Sequence, residues 1–192
     1  TRDRLEEALA ALEGGKFAFA FASGLAAEDA VFHLLRPGDE AVASLDLYGG
    51  TFRLMRQVWE NYGLKFSFVD TTNLANLKKA LTPKTKLLWV ETPSNPLLSI
   101  TDISAMSREA RKLSPKILIC VDNTFATPIL QKPLRLGVDI VIHSTTKYIG
   151  GHSDIIGGAV ITNEDGLAQK IKFIQNAVGA VPGPMDCFLA LR

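Results

Sequence analysis

A lysine that follows an apolar run and three hydroxyl residues is the strongest candidate for chemistry in this sequence. Residues 138–143 are predicted to form a buried strand, which leads through Ser144 and Thr146 to Lys147. Most lysines are solvated surface charges, but this one lies beyond the carboxyl end of a strand, where an α/β sheet presents its ligands. In a desolvated pocket a lysine has a lowered pKa, and its neutral amine can form a Schiff base. The hydroxyls of Ser144 and Thr146 are candidate ligands of one phosphate.

Asp122 is the second candidate, because it ends the apolar run 117–122. An aspartate at such a position often only turns the chain by bonding its own backbone. The functional alternative is a carboxylate paired with a protonated ring nitrogen, as the cofactor pyridoxal phosphate (PLP) requires. Lys147 follows 25 residues later, about one strand further on, so two neighbouring strands could present both side chains to one ring.

Two glycine-containing turns add weaker signals. A strand predicted at residues 17–22 passes through Ser23 and Gly24 into a helix, whose free N–H groups can bind an anion such as phosphate. Tyr48 follows another predicted strand and precedes Gly49 and Gly50. It is either a partly buried turn tyrosine or an aromatic platform stacked on a cofactor ring.

Other chemistries find little support in the motifs. His33, His143 and His152 show no metal-ligand spacing with one another or with the cysteines, so no metal site is expected. The sequence has neither a GxxxxGK[ST] loop nor a GxGxxG fingerprint, which disfavours a nucleotide-binding α/β module. Ser23 lacks the preceding glycine of a GxSxG nucleophile elbow, which leaves acyl transfer with little support.

The composition is that of a globular protein and gives no indication of a nucleic-acid or membrane partner. Of the 192 residues 47% are hydrophobic, and 21 basic against 20 acidic side chains give a net charge of +1. This balance gives no electrostatic reason to expect nucleic acid, and no apolar run is long enough to span a membrane. Cys120 and Cys187 are far apart and form no CxxC pair, which predicts a reducing, cytoplasmic environment.

The elements that must position these residues alternate between short apolar strands and helices. Strands are predicted at 17–22, 40–45, 65–69, 87–91, 117–122, 138–143 and 159–162, and helices at 4–12, 24–35, 51–61, 73–81, 102–113 and 166–178. Asn73 is a predicted N-cap, and Gly14 is predicted to end the first helix in a left-handed conformation. The alternation predicts an α/β fold with a mainly parallel, doubly wound sheet and helices on both faces.

Taken together, the motifs resemble those of the Cys/Met-metabolism PLP-dependent enzymes, a group that includes cystathionine γ-lyase, cystathionine γ-synthase, cystathionine β-lyase and methionine γ-lyase. The resemblance covers the whole chain and depends on four segments, 91–96 (ETPSNP), 121–125 (VDNTF), 144–154 (STTKYIGGHSD) and 179–187 (GAVPGPMDC). It implies that residues 1–192 form the large PLP-binding domain of fold type I. An N-terminal arm with phosphate ligands and a small C-terminal domain with a substrate-binding arginine are expected to lie outside these residues.

The resemblance also implies a role for each site residue. Lys147 would form the Schiff base with pyridoxal 5'-phosphate and then act as the general acid–base, and Asp122 would hold the pyridinium. Tyr48 would stack on the ring, contact the substrate and assist departure of the leaving group, and Arg53 would lie near the substrate. The cofactor-binding residues implied in this way are Ser23, Gly24, Leu25, Tyr48, Asn95, Asp122, Thr124, Ser144, Thr146 and Lys147.

The activity implied is that of cystathionine γ-lyase, which releases cysteine, 2-oxobutanoate and ammonia from cystathionine. Cystathionine γ-synthase, which replaces the γ-substituent of an activated homoserine, and cystathionine β-lyase remain alternatives. Gly50 stands where methionine γ-lyases usually carry a cysteine, which counts against that activity. A non-catalytic PLP-binding homologue is an alternative of a different class, disfavoured by the presence of Lys147, Asp122 and Tyr48 together. The resemblance further implies a small sulfur amino acid as substrate and a homotetramer, a dimer of dimers with shared active sites.

Overall fold

Seven strands form one sheet in the order β1-β7-β6-β5-β4-β2-β3 in the computed structural model, which describes residues 1–192. The strands are β1 (Phe17–Phe21), β2 (Glu40–Ser44), β3 (Lys65–Val69), β4 (Thr85–Glu91), β5 (Leu118–Asp122), β6 (Ile140–His143) and β7 (Gly158–Thr162). Strands β2 to β6 pair in parallel, whereas β7 is antiparallel to both β1 and β6. The predicted mainly parallel sheet is therefore confirmed, and the double reversal leaves β1 pointing in the same direction as β6.

Eight α-helices connect and cover the strands. They are α1 (Arg2–Glu13), α2 (Gly24–Phe32), α3 (Gly49–Arg53), α4 (Leu74–Ala80), α5 (Ile103–Leu113), α6 (Thr127–Leu130), α7 (Asp165–Val178) and α8 (Pro184–Leu191). Both predicted caps are confirmed: the side chain of Asn73 accepts the N–H of Ala75 at 2.9 Å, and Gly14 ends α1 with φ at 73°. None of these helices combines the length and apolar character needed to cross a lipid bilayer.

The prediction of one regular helix over residues 51–61 is wrong, because the helical hydrogen-bonding pattern changes along this segment. Helix α3 begins earlier, at Gly49, and is followed by a π-helical turn at Leu54–Val58 and a 3₁₀ turn at Trp59–Tyr62. The change of winding places Trp59 against α2, where its indole N–H donates to Asp29 at 2.9 Å. A tertiary contact that the local sequence does not encode thus overrides the regular helical period.

The helices pack on both faces of the sheet, as predicted. On one face α1, α4, α5 and α8 bury side chains such as Leu9, Met106 and Val121, and on the other face α2 and α7 cover Trp89 and Ile142. The central strands are apolar on both sides, which is the pattern of a covered parallel sheet. Polar side chains gather where β4, β5 and β6 reach their carboxyl ends, so the core positions that edge rigidly.

Candidate active site

One cavity of about 270 Å³ lies at the carboxyl ends of β4, β5 and β6, beside the start of α2. Its wall contains all ten residues predicted to bind the cofactor, namely Ser23, Gly24, Leu25, Tyr48, Asn95, Asp122, Thr124, Ser144, Thr146 and Lys147. Arg53 does not line this cavity and is exposed at the end of α3. The fold therefore gathers the predicted cofactor ligands in one place, while their roles and that of Arg53 stay predictions.

Lys147 lies in a tight turn that follows β6. Its N–H donates to the carbonyl of Ser144 at 3.2 Å, and its carbonyl accepts the N–H of Gly151 at 2.8 Å. A β-carbon on Gly150 would come within 2.7 Å of the Thr145 carbonyl, so this turn requires glycine there. The side chain of Lys147 is exposed, and the residues of this chain therefore do not desolvate its amine.

Asp122 ends β5 with only 7% of its surface exposed. Its Oδ1 accepts the N–H of Thr124 at 2.9 Å, and the Thr124 hydroxyl accepts the N–H of Ser144 at 2.8 Å. Burial raises the pKa of Asp122 above its ordinary value, and the hydrogen bonds from Thr124 and the proximity of His143 oppose that rise. No Lys or Arg pairs with this carboxyl group, so a cation at the cavity would compensate for its burial.

The start of α2 presents free N–H donors in the same wall. The hydroxyl of Ser23 accepts the N–H of Ala26 at 3.0 Å and so caps the helix. The first-turn N–H groups of Gly24 and Leu25 have no acceptor within the helix. A β-carbon on Gly24 would lie 3.0 Å from the Ser144 β-carbon, so the glycine allows the helix start and the lysine turn to approach each other closely. These donors can bind a phosphate between the two segments.

The Thr146 hydroxyl is already engaged in this structure. It accepts the N–H of Gly157 at 3.0 Å and lies 3.2 Å from the Gly157 carbonyl, to which it donates. Thr146 therefore joins the lysine turn to the segment that enters β7. No protein group bonds the hydroxyl of Ser144, which leaves it the less encumbered of the two predicted phosphate ligands.

Tyr48 precedes α3 and is 44% exposed at the mouth of the cavity. Its N–H donates to Glu91 Oε2 at 2.8 Å. The ring lies over Gly50, where a β-carbon would collide with it. The absence of a β-carbon at Gly50 thus allows the Tyr48 ring to lie where it does. This is separate from the earlier argument that Gly50 counts against methionine γ-lyase activity.

Two buried acids in the wall, Glu28 and Glu91, were not predicted as site residues. Burial first, and then the charge of Asp122, raise the pKa of Glu91 to about 8, and the same two causes raise the pKa of Glu28 well above its ordinary value. The 91–96 motif contains Glu91 but assigned it no role. A glutamate in a helix usually lies on the solvated surface. The signal that could have identified Glu28 is that most residues of the predicted helix 24–35 are apolar.

These residues fit pyridoxal 5'-phosphate, the cofactor that the family resemblance implies. Free N–H donors at the start of α2 suit its phosphate, and a buried carboxylate without a cationic partner suits its protonated ring nitrogen. Lys147 lines the same wall, and its amine would form the Schiff base with the aldehyde group of the cofactor. The cavity therefore offers one suitable group for each polar end of the cofactor.

The comparisons with known proteins agree with this chemistry. The model of the Cys/Met metabolism PLP-dependent enzymes matches residues 1–192. Cystathionine γ-synthase of Mycobacterium tuberculosis and cystathionine γ-lyase of Dictyostelium discoideum are each 53% identical over the whole chain, which spans 49% of either relative. The crystal structure of cystathionine γ-lyase from Lactobacillus plantarum complexed with L-serine superposes with a TM-score of 0.96 at 49% identity, covering 98% of this chain and 49% of that one. With this agreement of sequence, fold and cavity, the chain belongs to the Cys/Met-metabolism PLP-dependent enzymes.

Proposed function

We propose that residues 1–192 form the large cofactor-binding domain of a cystathionine γ-lyase, which cleaves the Cγ–S bond of cystathionine. The observation that carries the proposal is that Lys147, Asp122 and Tyr48 line one cavity together with an anion site. A domain that only provided a scaffold would need none of these three side chains at that place. The chain spans about half the length of its curated relatives, and the activity proposed is that of the full-length protein.

Each residue contributes a separate function to the proposed site. Lys147 provides the amine that anchors the cofactor and, once released, takes and returns protons at the carbon atoms of the substrate. Asp122 keeps a negative charge against the ring nitrogen. The bound cofactor supplies an electron sink for the carbanion formed when the substrate loses its α-proton. Tyr48 covers one face of the ring and contacts the substrate.

The remaining ligands hold and orient the cofactor. The N–H groups of Gly24 and Leu25 would bind its phosphate together with the hydroxyls of Ser23 and Ser144, and with that of Thr146 once it turns away from the Gly157 carbonyl. Asn95 would lie near the ring hydroxyl, Thr124 beside the ring, and Arg53, which is exposed outside the cavity, near the substrate. The hydrogen bond from the Thr124 N–H to Asp122 supports the role of Asp122, because it holds the carboxylate at the end of β5.

Cystathionine γ-synthase is the second candidate, because relatives of that name are as similar to the chain as those named γ-lyase. Both reactions begin with removal of the α-proton and differ in the group that leaves or adds at Cγ. Gly50 counts against a methionine γ-lyase but does not distinguish the cystathionine γ-lyase from the γ-synthase. Of these two activities we place the γ-lyase first.

A product assay on the full-length protein distinguishes these activities. With cystathionine and water alone, a γ-lyase yields cysteine, 2-oxobutanoate and ammonia, whereas a β-lyase yields homocysteine, pyruvate and ammonia. Turnover only when an activated homoserine and cysteine are supplied indicates the γ-synthase. Absence of all three reactions in a protein that binds the cofactor would leave the non-catalytic homologue.

Replacing the lysine tests the site itself. We expect Lys147→Ala to abolish turnover and the visible absorbance of the bound cofactor, since no other amine lines the cavity. Borohydride reduction of the native protein followed by peptide mapping should label Lys147. The exposed Lys172 on α7 is the matched control, and Lys172→Ala should keep both properties. A label on any lysine other than Lys147 would reject the assignment.

We also propose a homotetramer that works in the cytoplasm. Large apolar side chains stand exposed on this chain, with Ile129 and Leu130 each 81% accessible, which supports a surface covered by further protein. Both cysteines are free thiols, as expected in a reducing compartment. Light scattering on the full-length protein measures the assembly, and a monomeric mass would contradict this part of the proposal.

A further inference from the structure

The turn that carries Tyr48 is held from two sides by buried acids. Tyr48 ends the connection from β2 to the five-residue helix α3, and residues 49–51 form the first turn of that helix, with two consecutive glycines among them. Such a short segment makes few hydrogen bonds of its own, and the tyrosine ring is partly exposed. The orientation of the ring therefore depends on contacts from outside the turn.

Glu91 provides the first contact, from the end of β4. Its Oε2 accepts the N–H of Tyr48 at 2.8 Å, and only 6% of its surface is exposed. The backbone of Asn95 opposes the rise in the pKa of the same carboxyl group. Glu91 thus ties the tyrosine to a strand of the rigid sheet.

Glu28 provides the second contact, from α2. Its Oε1 accepts the hydroxyl of Thr51 at 3.0 Å, and both side chains are buried, with 3% and 0% of their surfaces exposed. The other carboxyl oxygen of Glu28 has no partner among the protein atoms. Since α2 also carries the N–H groups of the anion site, Glu28 links that site to the tyrosine turn.

The acceptor carboxyl groups of both contacts are buried, so the loss of either hydrogen bond leaves a buried group unpaired, which destabilises the fold. Glu91 faces Asp122 and Asp46 as well as the turn, and Glu28 faces Asp122 and Glu91. These negative neighbours favour the protonated acids, and a protonated carboxyl group still accepts an N–H or O–H through its carbonyl oxygen.

We propose that Glu28 and Glu91 are positioning residues that clamp the segment 48–51 and thereby fix the plane of the Tyr48 ring over the cavity. The inference rests on the proposed function for its effect on catalysis, because Tyr48 stacks on the cofactor there. The clamp itself is a property of the folded chain, and it exists with or without the cofactor.

The first measurement is hydrogen exchange of the segment 48–53 in the full-length protein without cofactor. Glu91→Leu removes the acceptor of the Tyr48 N–H, and we expect exchange of that segment to become about tenfold faster, the factor that corresponds to about 1.4 kcal/mol. Glu91→Gln keeps an acceptor oxygen and should restore protection to within about twofold of the native rate.

The second measurement uses the other half of the clamp in the holoenzyme. Thr51→Val is isosteric, removes only the hydroxyl, and should reduce kcat about tenfold with little change in KM, as should Glu28→Leu. Combining the two should cost no more than either alone, because they delete the same hydrogen bond. The circular dichroism of the visible cofactor band should change in parallel, since it depends on how the ring beside the cofactor is placed.

Glu13→Leu is the matched control, because Glu13 is a fully buried glutamate on the opposite face of the sheet. It should lower the melting temperature without altering the exchange of residues 48–53 or the cofactor band. Unchanged exchange in Glu91→Leu together with an unchanged cofactor band in Thr51→Val overturns the clamp. So does failure of Glu91→Gln to restore protection. If instead native protein binds no cofactor at Lys147 while the exchange results hold, the proposed function fails and the clamp stands.

Discussion

Two buried glutamates on opposite faces of the sheet show how differently one side chain can be used. Glu13, at the end of α1, accepts the side-chain N–H of Asn123 at 2.8 Å and lies 3.2 Å from a ring nitrogen of His143. Glu91 lies beside the carboxyl group of Asp122, its register partner on β5, and accepts a hydrogen bond from the backbone N–H of Tyr48.

Both residues are buried, so the two regions differ in the groups that lie beside each carboxyl group. Glu13 bonds an amide and an imidazole from two strand ends and so fastens α1 to the sheet. On the cavity side, carboxyl groups face one another and none of them pairs with Lys or Arg. Burial of an acid therefore does not identify a site by itself, whereas burial of several acids without a cation indicates that a ligand is needed to balance them.

The largest effect should come from the cavity side and should appear in catalysis. We expect Asp122→Asn to keep the cofactor bound but to lower kcat/KM about a thousandfold, equivalent to about 4 kcal/mol, because a neutral ring nitrogen is a weaker electron sink. Steady-state kinetics and the cofactor absorbance measure this. Urea unfolding of the same variant should show no loss of stability. Near-normal kinetics would mean that Asp122 only turns the chain.

The next effect should come from the other face and should appear in stability. Glu13→Leu leaves the Asn123 amide and the His143 ring without their acceptor, and we expect a loss of about 3 kcal/mol in the free energy of unfolding. Urea denaturation of the full-length protein measures it. The cofactor absorbance at saturation should be unchanged. A variant of native stability would show that the Glu13 contacts contribute little.

Titration of Glu91 should make stability depend on pH on the cavity side of the sheet. Its pKa of about 8 in the folded protein lies above the ordinary value of 4.5, so the folded state keeps a proton that the unfolded chain loses between those values. Stability of the cofactor-free protein should therefore fall as pH rises from about 4.5 to 8, and then level off. We expect Glu91→Gln to make this fall with pH clearly smaller, measured by urea unfolding at several pH values.

Glu28 and Asp122 also have raised pKa values and will leave part of that slope in the variant. The comparison of native protein with Glu91→Gln isolates the contribution of Glu91. An identical slope in both proteins would show that Glu91 is ionised in the folded state at neutral pH.

The smallest effect should follow from a methyl group beneath the tyrosine. Gly50→Ala places a β-carbon against the Tyr48 ring, which must turn away, and we expect kcat to fall about fivefold, equivalent to about 1 kcal/mol. Gly49→Ala is the matched control, because a β-carbon there meets no atom within 4 Å. Kinetics of the two variants side by side test the point, and equal rates would mean that the ring tolerates the contact.

Much of the architecture could be predicted from local pattern. Apolar runs located all seven strands, and the caps at Gly14 and Asn73 located helix ends, because these depend on neighbouring residues alone. The direction of β7 could not be predicted, since an apolar strand covered on both faces reads the same in either orientation. The winding after α3 could not be predicted either, because it depends on the bond from Trp59 to a distant helix.

The candidate site was predictable where polar residues follow strands. Asp122 and Lys147 stand out because each comes directly after an apolar run, and the parallel sheet brings such positions to one edge. Glu28 was not predictable in this way, because it lies inside a helix. Its burial follows from the approach of Thr51, a residue 23 positions away, which only the folded structure reveals.

Gly158, the first residue of β7, lies so close to the backbone of Ser23 that substitutions there should have a specific effect. A β-carbon at Gly158 would collide with the carbonyl of Ser23, so even the smallest side chain there would push the anion-binding turn outward. Substitutions at this glycine should thus weaken cofactor binding at the proposed phosphate site, with activity partly regained at high pyridoxal phosphate concentration, although the position takes no part in the proposed reaction.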